Sequence, residues 1–178
     1  MELTEVYRFE SGLTRKDGHL CWDIDALAES VIAGLVEAHD KGFTPETVGI
    51  DTWAVDYVLL DEDDRRIGDC IGYRDARTDG VRDALELAGI LSFEEHYAHT
   101  GIQYQQFNTA YQLLAQSREN RSALMAAATL LMVPDYLNYI LTGIKAQEYT
   151  NASTTALVNA ETRDWDPQLI DRLNLPER

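Results

Sequence analysis

Polar and aromatic side chains interrupt an apolar run at residues 49–56, which read G-I-D-T-W-A-V-D. Asp51 and Thr52 bring oxygens that accept hydrogen bonds, and Trp53 brings an apolar ring face with one donor. The small side chain of Ala54 lets a ligand approach the backbone closely. This combination suits a ligand with many hydroxyl groups, so the segment predicts a sugar-binding site.

Strand geometry limits how many of these side chains reach one ligand. In an unbroken strand, Asp51 and Trp53 would face one side of the sheet. Thr52, Ala54 and Asp56 would face the other side, so all five contact one ligand only if the chain bends. We rank Ala54 first, then Asp51 and Trp53. Spacing alone also fits a plain strand, with Trp53 in the core and Asp56 in solvent.

Two further segments carry candidate contacts. In Y-R-D-A-R-T, Tyr73 offers a ring, and Arg74 either orients the site or pairs with Asp75 at the surface. A later cluster of amide and aromatic residues ends in Phe107 and Asn108. Asn108 equally fits the N-cap of the next helix. Contacts with the substrate are therefore predicted at Tyr73, Arg74, Phe107 and Asn108 as well.

Histidine and acidic residues lack the spacing of a metal site. His96 and His99 are three residues apart in a helical stretch, but no third ligand stands at a fitting spacing. The acidic run at residues 61–64 lacks the glycine and the final glutamate of a calcium loop. We therefore predict no metal site, and we assign no catalytic residue to this chain.

Composition narrows the class of protein. The 178 residues carry a net charge of −16, whereas a protein that binds nucleic acid needs a basic surface. The same charge opposes binding to acidic membranes, and no run of about 18 apolar residues could span a bilayer. The first residues lack the basic and apolar regions of a signal peptide. These features predict a cytoplasmic protein in which Cys21 and Cys70 are reduced thiols.

The pattern of apolar and turn residues predicts an α/β domain. Strands are expected at residues 3–9, 20–24, 47–52, 54–60 and 67–73. Helices are expected from Asp23 or Asp25 to about Asp40, and at residues 80–88, 92–99, 108–118, 122–128, 134–141 and 166–173. A turn at residues 16–18 should join the first two strands into a hairpin.

Four blocks, in order along the chain, resemble a known family. They read G-I-D-T-W-A-V-D, Y-R-D-A-R-T-D-G, M-V-P-D-Y-L-N-Y-I-L-T-G and E-Y-T-N-A-S-T-T. From about Val6 onward the chain is similar to the FGGY carbohydrate kinases, and the first two blocks favour their rhamnulokinase branch. The resemblance implies a ribonuclease-H-like (actin-like ATPase) lobe with inserted helices, truncated at both ends. Residues 1–178 would then be part of an N-terminal, sugar-binding domain.

The resemblance also implies a reaction for the whole enzyme. In that branch, the γ-phosphoryl group of ATP passes to the 1-hydroxyl of L-rhamnulose with Mg²⁺, in L-rhamnose catabolism. Ala54 matches a small residue that contacts the sugar through its main chain. Tyr73 aligns loosely with an aromatic residue of the polyol pocket.

Two parts of the family pattern have no counterpart in this chain. These are the D-x-G-x-x-S-x-R loop, which contacts ATP phosphates, and the catalytic aspartate, which precedes the ATP-binding C-terminal domain. We therefore expect sugar binding without turnover by this chain alone, and contact with a missing kinase lobe. A lobe without its first two strands would expose a sheet edge, which predicts marginal stability or self-association.

Two alternatives stay open. A kinase lobe that has lost catalysis would act as a non-catalytic module that binds sugar or another protein. A different branch of the family would take xylulose or glycerol, although the D-T-W-A-V-D segment speaks against that branch.

Overall fold

The computed structural model describes residues 2–176, which form five short strands, seven α-helices and one short 3-10 helix at Ala76–Thr78. The strands are β1 (Leu13–Lys16), β2 (His19–Trp22), β3 (Tyr57–Leu60), β4 (Cys70–Ile71) and β5 (Thr129–Met132). The helices are α1 (Ile24–Asp40), α2 (Val81–Leu87), α3 (Phe93–Thr100), α4 (Thr109–Met125), α5 (Val133–Thr142), α6 (Tyr149–Ser153) and α7 (Pro167–Arg172). One antiparallel sheet has the order β1-β2-β4, and β3 and β5 form a second antiparallel pair.

Local sequence signals set the hairpin and the first long helix. Asp17 and Gly18 have φ angles of 49° and 93°, and a two-residue type I′ hairpin requires both to be positive. Asp23 caps α1, because its side chain accepts a hydrogen bond from the Ala26 N–H at 3.0 Å. The predicted turn and the predicted helix start at Asp23 are therefore confirmed.

The pair of strands β3 and β5 lies between two hydrophobic clusters. Alternation along β3 sends Tyr57 and Leu59 to one cluster, which is completed mainly by α2, α4 and α7. Val58 and Leu60 belong to the other cluster, which α1 and α5 complete. All four residues of β3 are buried, which explains their continuous apolar run. The core thus fixes the chain that leads into β3.

Several strand predictions are wrong. Residues 3–9 form no strand, and the hairpin begins instead at Leu13. Residues 47–52 form no strand because none of their backbone groups finds a partner within residues 2–176. The next strand starts only at Tyr57, since the chain bends at Val55. The strand predicted at residues 67–73 is reduced to β4.

The helix predictions agree better with the structure, although one helix and one strand were not predicted. The helices expected at residues 80–88, 92–99, 134–141 and 166–173 are present within a few residues. Those expected at 108–118 and 122–128 form α4, which has a non-helical residue at Asn120 and ends at Met125. Strand β5 and helix α6 were not predicted. β5 forms because β3 pairs with it, a contact that its helix-favouring residues do not reveal.

Candidate functional site

Asp56 connects four parts of the chain. Its Oδ2 accepts hydrogen bonds from the indole N–H groups of Trp22 and Trp53, at 2.7 and 2.9 Å. The same oxygen accepts the Tyr73 backbone N–H at 3.1 Å, and Oδ1 accepts the Gln112 amide at 3.1 Å. Burial raises the pKa of this fully buried carboxyl, although its four donors favour the charged form.

The chain bends sharply at Val55. Its φ of 67° lies in the left-handed region, which β-branched residues rarely adopt. Two side chains in the first turn of α4 hold this bend by donating to the Val55 carbonyl, Thr109 Oγ1 at 2.7 Å and Gln112 Nε2 at 3.1 Å. Both residues are almost fully buried. Side chains from both faces of a strand can contact one ligand only if the chain bends. Such a bend is present at Val55, and α4 holds it in place.

Gln112 has a fixed amide orientation. Arg77 Nη2 donates to Gln112 Oε1 at 2.9 Å. On the other side, Nε2 donates to the carbonyls of Val55 and Phe107 and to the Asp56 carboxylate. The Arg77 guanidinium can only donate, whereas the two carbonyls and the carboxylate can only accept. If the oxygen and nitrogen of the Gln112 amide were exchanged, all of these hydrogen bonds would therefore be lost. Sequence reasoning missed Gln112, because an isolated polar residue on a helix carries no local sign that it is buried.

A cavity of about 320 Å³ lies beside the bend, in the size range of small-molecule sites. Four of the predicted contacts line it: Asp51, Thr52, Trp53 and Ala54. The opposite wall comes from the start of α5 and from residues 148–154. None of the described lining residues is lysine, arginine or histidine, whereas carboxylates, amides and hydroxyls are present. The cavity therefore favours a ligand rich in hydrogen-bond donors.

Two buried oxygens of lining residues have no hydrogen-bond partner within the described chain. They are Asp135 Oδ2 and Asn151 Oδ1. The other oxygen of Asp135 accepts the Glu148 backbone N–H at 3.2 Å, and the residue is only 3% exposed. Burial raises the pKa of the Asp135 carboxyl. A ligand hydroxyl that reached either oxygen would satisfy it. The sequence pattern did not single out either residue as a contact.

Tyr73 and Phe107 form an edge-to-face pair, with 5.5 Å between the ring centres. Arg74 lies over the Tyr73 ring at 5.1 Å, and its Nε donates to the Tyr73 hydroxyl at 3.1 Å. Arg74 therefore packs on Tyr73, while Asp75 accepts the Leu20 backbone N–H at 2.7 Å. The two rings are half-buried, so part of each remains open to a ligand.

Asn108 and Asp56 occupy supporting positions. Asn108 stands at the N-cap of α4, but its Oδ1 accepts the Gln105 backbone N–H at 2.8 Å. Its Nδ2 donates to the Thr154 carbonyl at 3.1 Å, which ties α4 to the cavity wall. Asn108 and Asp56 are 4% and 0% exposed. Direct contact of either with a sugar stays a prediction.

The described residues include no cluster of side chains that fits Mg²⁺. Among residues 2–176, no group of three or more His, Cys, Asp or Glu side chains could hold a metal ion. Arg77 is engaged by Gln112 and lies over the Tyr57 ring, 6.0 Å from its centre. We therefore derive no step of phosphoryl transfer from the residues of this chain.

Comparison with known proteins gives the family. Residues 8–178 match the N-terminal domain of the FGGY family of carbohydrate kinases. The match covers nearly the whole chain, which therefore belongs to the FGGY family of carbohydrate kinases.

Curated relatives point to one branch of that family. The rhamnulokinase of Oceanobacillus iheyensis is 49% identical over 173 residues, which are 97% of this chain and 36% of that protein. The rhamnulokinase of Bacillus subtilis is 46% identical over 178 residues, which are all of this chain and 36% of that protein. The chain thus spans about 36% of the length of these relatives.

Solved structures share the fold at lower identity. A xylulose kinase from Rhodospirillum rubrum superimposes with a TM-score of 0.82 at 20% identity, over 94% of this chain and 35% of that one. A ligand-bound xylulose kinase from Lactobacillus acidophilus gives a TM-score of 0.81 at 20% identity, over 94% of this chain and 34% of that one. These likenesses confirm the predicted fold, the actin-like lobe of an FGGY kinase.

Proposed function

We propose that this chain is the sugar-binding domain of a cytoplasmic kinase that phosphorylates L-rhamnulose to L-rhamnulose 1-phosphate with ATP and Mg²⁺, in L-rhamnose catabolism. The observation that carries the proposal is 49% identity to a rhamnulokinase over 97% of the chain. The two xylulose kinases compared above are 20% identical to this chain, which favours rhamnulose over xylulose. Within residues 2–176, no helix combines the length and apolarity that crossing a bilayer demands.

The four predicted contacts that line the cavity each have a role in this proposal. The bend at Val55 leaves the backbone of Ala54 open to the sugar. The indole N–H of Trp53 is taken by Asp56, and one face of its ring packs on Trp22 with 4.1 Å between the ring centres. The other face remains for the C–H groups of the sugar. Asp51 and Thr52 take up sugar hydroxyls at the cavity.

Groups outside this chain complete the proposed reaction. ATP supplies the phosphoryl group, and Mg²⁺ stabilises the negative charge on that group during transfer. The role of this chain is to bind and orient the sugar. The 1-hydroxyl must also lose its proton to a base. No residue of this chain is assigned that role.

Tryptophan fluorescence tests the proposed sugar site. L-Rhamnulose added to the purified chain should change the emission to saturation, because Trp53 lines the cavity. D-Xylulose and glycerol should bind more weakly. Trp53→Phe should lose most of the response. Trp165→Phe should keep it, because Trp165 lines a different cavity of the molecule.

The same samples separate the alternatives. If L-rhamnulose neither changed the tryptophan emission nor gave a heat of binding in calorimetry, the sugar site would be refuted. Equal binding of D-xylulose or glycerol would move the assignment to another branch. Incubation with ATP and Mg²⁺ should give no L-rhamnulose 1-phosphate from this chain alone. Formation of that product would contradict the proposed division of roles.

A further inference from the structure

Gln112 occupies the middle of a buried polar chain from Arg77 to Asp56. Its Oε1 lies 2.9 Å from Arg77 Nη2, and its Nε2 lies 3.1 Å from Asp56 Oδ1 and 3.1 Å from the Val55 carbonyl. Gln112 is 1% exposed and both polar atoms of its amide are already bonded to protein groups, so a ligand does not touch it. Two of the residues that it binds, Val55 and Asp56, nevertheless directly follow Ala54, where the sugar is proposed to lie.

Asp56 transmits the position of Gln112 to the ligand side. One carboxylate oxygen accepts the amide of Gln112, and the other accepts the indole of Trp53 and the backbone N–H of Tyr73. A carboxylate is planar and rotates as one unit. Without the amide donor, Asp56 would turn, and its partners Trp53 and Tyr73 would shift with it.

We infer that Gln112 is a positioning residue, which holds the bend at Val55 and the orientation of Asp56 so that Ala54 and Trp53 meet the sugar. The inference rests on the proposed sugar-binding function. Only a side chain that accepts from Arg77 and donates to Asp56 fits this place, which is the pattern of an uncharged amide.

Two substitutions separate positioning from packing. Gln112→Met preserves the length of the side chain but removes both its donor and its acceptor. Gln112→Glu preserves the shape, and the introduced carboxyl can donate to Asp56 only when it holds a proton. Two buried carboxyls in contact share a proton at a raised apparent pKa. The donor should therefore return as the pH falls.

Gln112→Met controls for the titration of neighbouring groups, because it shares all of them with Gln112→Glu. The charged or titratable groups beside Asp56 and Gln112 include Arg77, Tyr57, Cys70 and Tyr73, and Asp75 with its partner His19 lies next to the Arg77 backbone. Burial raises the pKa of Tyr57 to about 12 and also raises that of Cys70, so both stay neutral over the working range. Arg77 remains a cation throughout.

Binding of L-rhamnulose should then separate the variants. Near pH 8, Gln112→Met and Gln112→Glu should each bind about tenfold more weakly, as expected for loss of a hydrogen bond to a charged group. Near pH 5.5, Gln112→Glu should recover most of its affinity because its carboxyl donates again. Gln112→Met should not recover. Gln116→Met and Gln116→Glu, four residues along α4, should bind as the wild type does, because Gln116 accepts from the Tyr57 hydroxyl and, within residues 2–176, bonds neither to Asp56 nor to Val55.

The indole N–H resonances of Trp22 and Trp53 give a second readout without sugar. Both should move in Gln112→Met, and both should move with pH in Gln112→Glu. Trp165 makes no contact with Asp56, so its resonance should stay in place and reports that the fold is intact. If Gln112→Met does not fold, the pH series of Gln112→Glu decides alone.

Two outcomes overturn the inference. One is wild-type affinity of both Gln112 variants at high pH. The other is an unmoved Trp53 resonance in both of them. If the wild type binds no sugar, the proposed function fails, whereas the resonances still decide whether Gln112 positions Trp53.

Discussion

Two buried carboxylates near the candidate site stand in opposite situations. Asp56 has four hydrogen-bond donors, whereas within residues 2–176 Asp135 has one donor and one oxygen without a partner. Burying a charged group costs free energy unless hydrogen bonds replace its hydration. Asp56 therefore organises the fold around it. Asp135 carries an uncompensated cost that a bound sugar hydroxyl would relieve.

Asp135→Asn should stabilise the free chain by about 1 kcal/mol near neutral pH. The amide oxygen still accepts the Glu148 backbone N–H, and the unpaired buried charge is gone. Affinity for L-rhamnulose should fall about tenfold if Oδ2 accepts a sugar hydroxyl. Urea unfolding and fluorescence titration measure the two effects. Asp51→Asn, on the exposed side of the same cavity, should change stability by less than about 0.5 kcal/mol.

The stability gained by Asp135→Asn should depend on pH. Burial raises the pKa of Asp135 in the folded chain. The protonated Asp135 carboxyl therefore contributes stability that is fully present below its pKa in the unfolded chain. This stability is lost as the pH rises through its higher pKa in the folded chain. The advantage of Asp135→Asn should therefore be small near pH 4 and grow toward pH 7. A constant difference across this range would contradict the assignment.

At the scale of elements, the backbone amides of residues 47–54 have no backbone acceptor within residues 2–176. Strand β3, directly after this segment, is by contrast paired with β5 and fully buried. The segment is held instead at one end, where Thr109 and Gln112 bind the Val55 carbonyl. It is therefore free to adapt to a ligand, while the bend is not.

Hydrogen exchange should show this contrast directly. Amides at residues 47–54 should exchange at the earliest time point, and amides of β3 should exchange slowly. Saturating L-rhamnulose should slow exchange around Ala54. Slow exchange throughout residues 47–54 without sugar would instead show that they pair with another strand, such as one from a second copy of the chain.

At the scale of the molecule, apolar surface and acidic charge act in opposite directions. Residues 47–53 and α1 line an open groove of about 700 Å³, where Tyr7, Phe9 and Val48 are 42%, 41% and 51% exposed. Exposed apolar surface of this kind favours association. The net charge of −16 opposes it by mutual repulsion, which salt screens.

Sedimentation velocity should therefore show weak self-association that increases with protein concentration and with salt. Val48→Lys should reduce it by placing a charge in the groove. Leu87→Lys adds the same charge at a residue that is 89% exposed and does not line the groove, so it should have little effect. A strictly monomeric chain with a cooperative melt at high temperature would contradict both self-association and marginal stability.

The sequence by itself determined the elements that local chemistry controls. Asp17 and Gly18 set the hairpin turn, Asp23 starts α1, and the apolar run within residues 54–60 predicted a strand, of which residues 57–60 form β3. The motif at residues 49–56 also predicted a sugar-binding site, and residues 51–54 line one cavity. These signals lie within a few residues of one another, so no distant contact was needed to interpret them.

Tertiary structure decided what depends on partners far apart in the chain. Residues 47–52 have the composition of a strand but form none, because a strand needs a neighbour to pair with. The sequence singled out Asp56, but only the packed molecule shows that Trp22, Tyr73 and Gln112 reach its carboxylate from other elements. The role of Gln112 emerges only when α4 packs against the bend, since burial and hydrogen-bond partners are properties of the packed molecule.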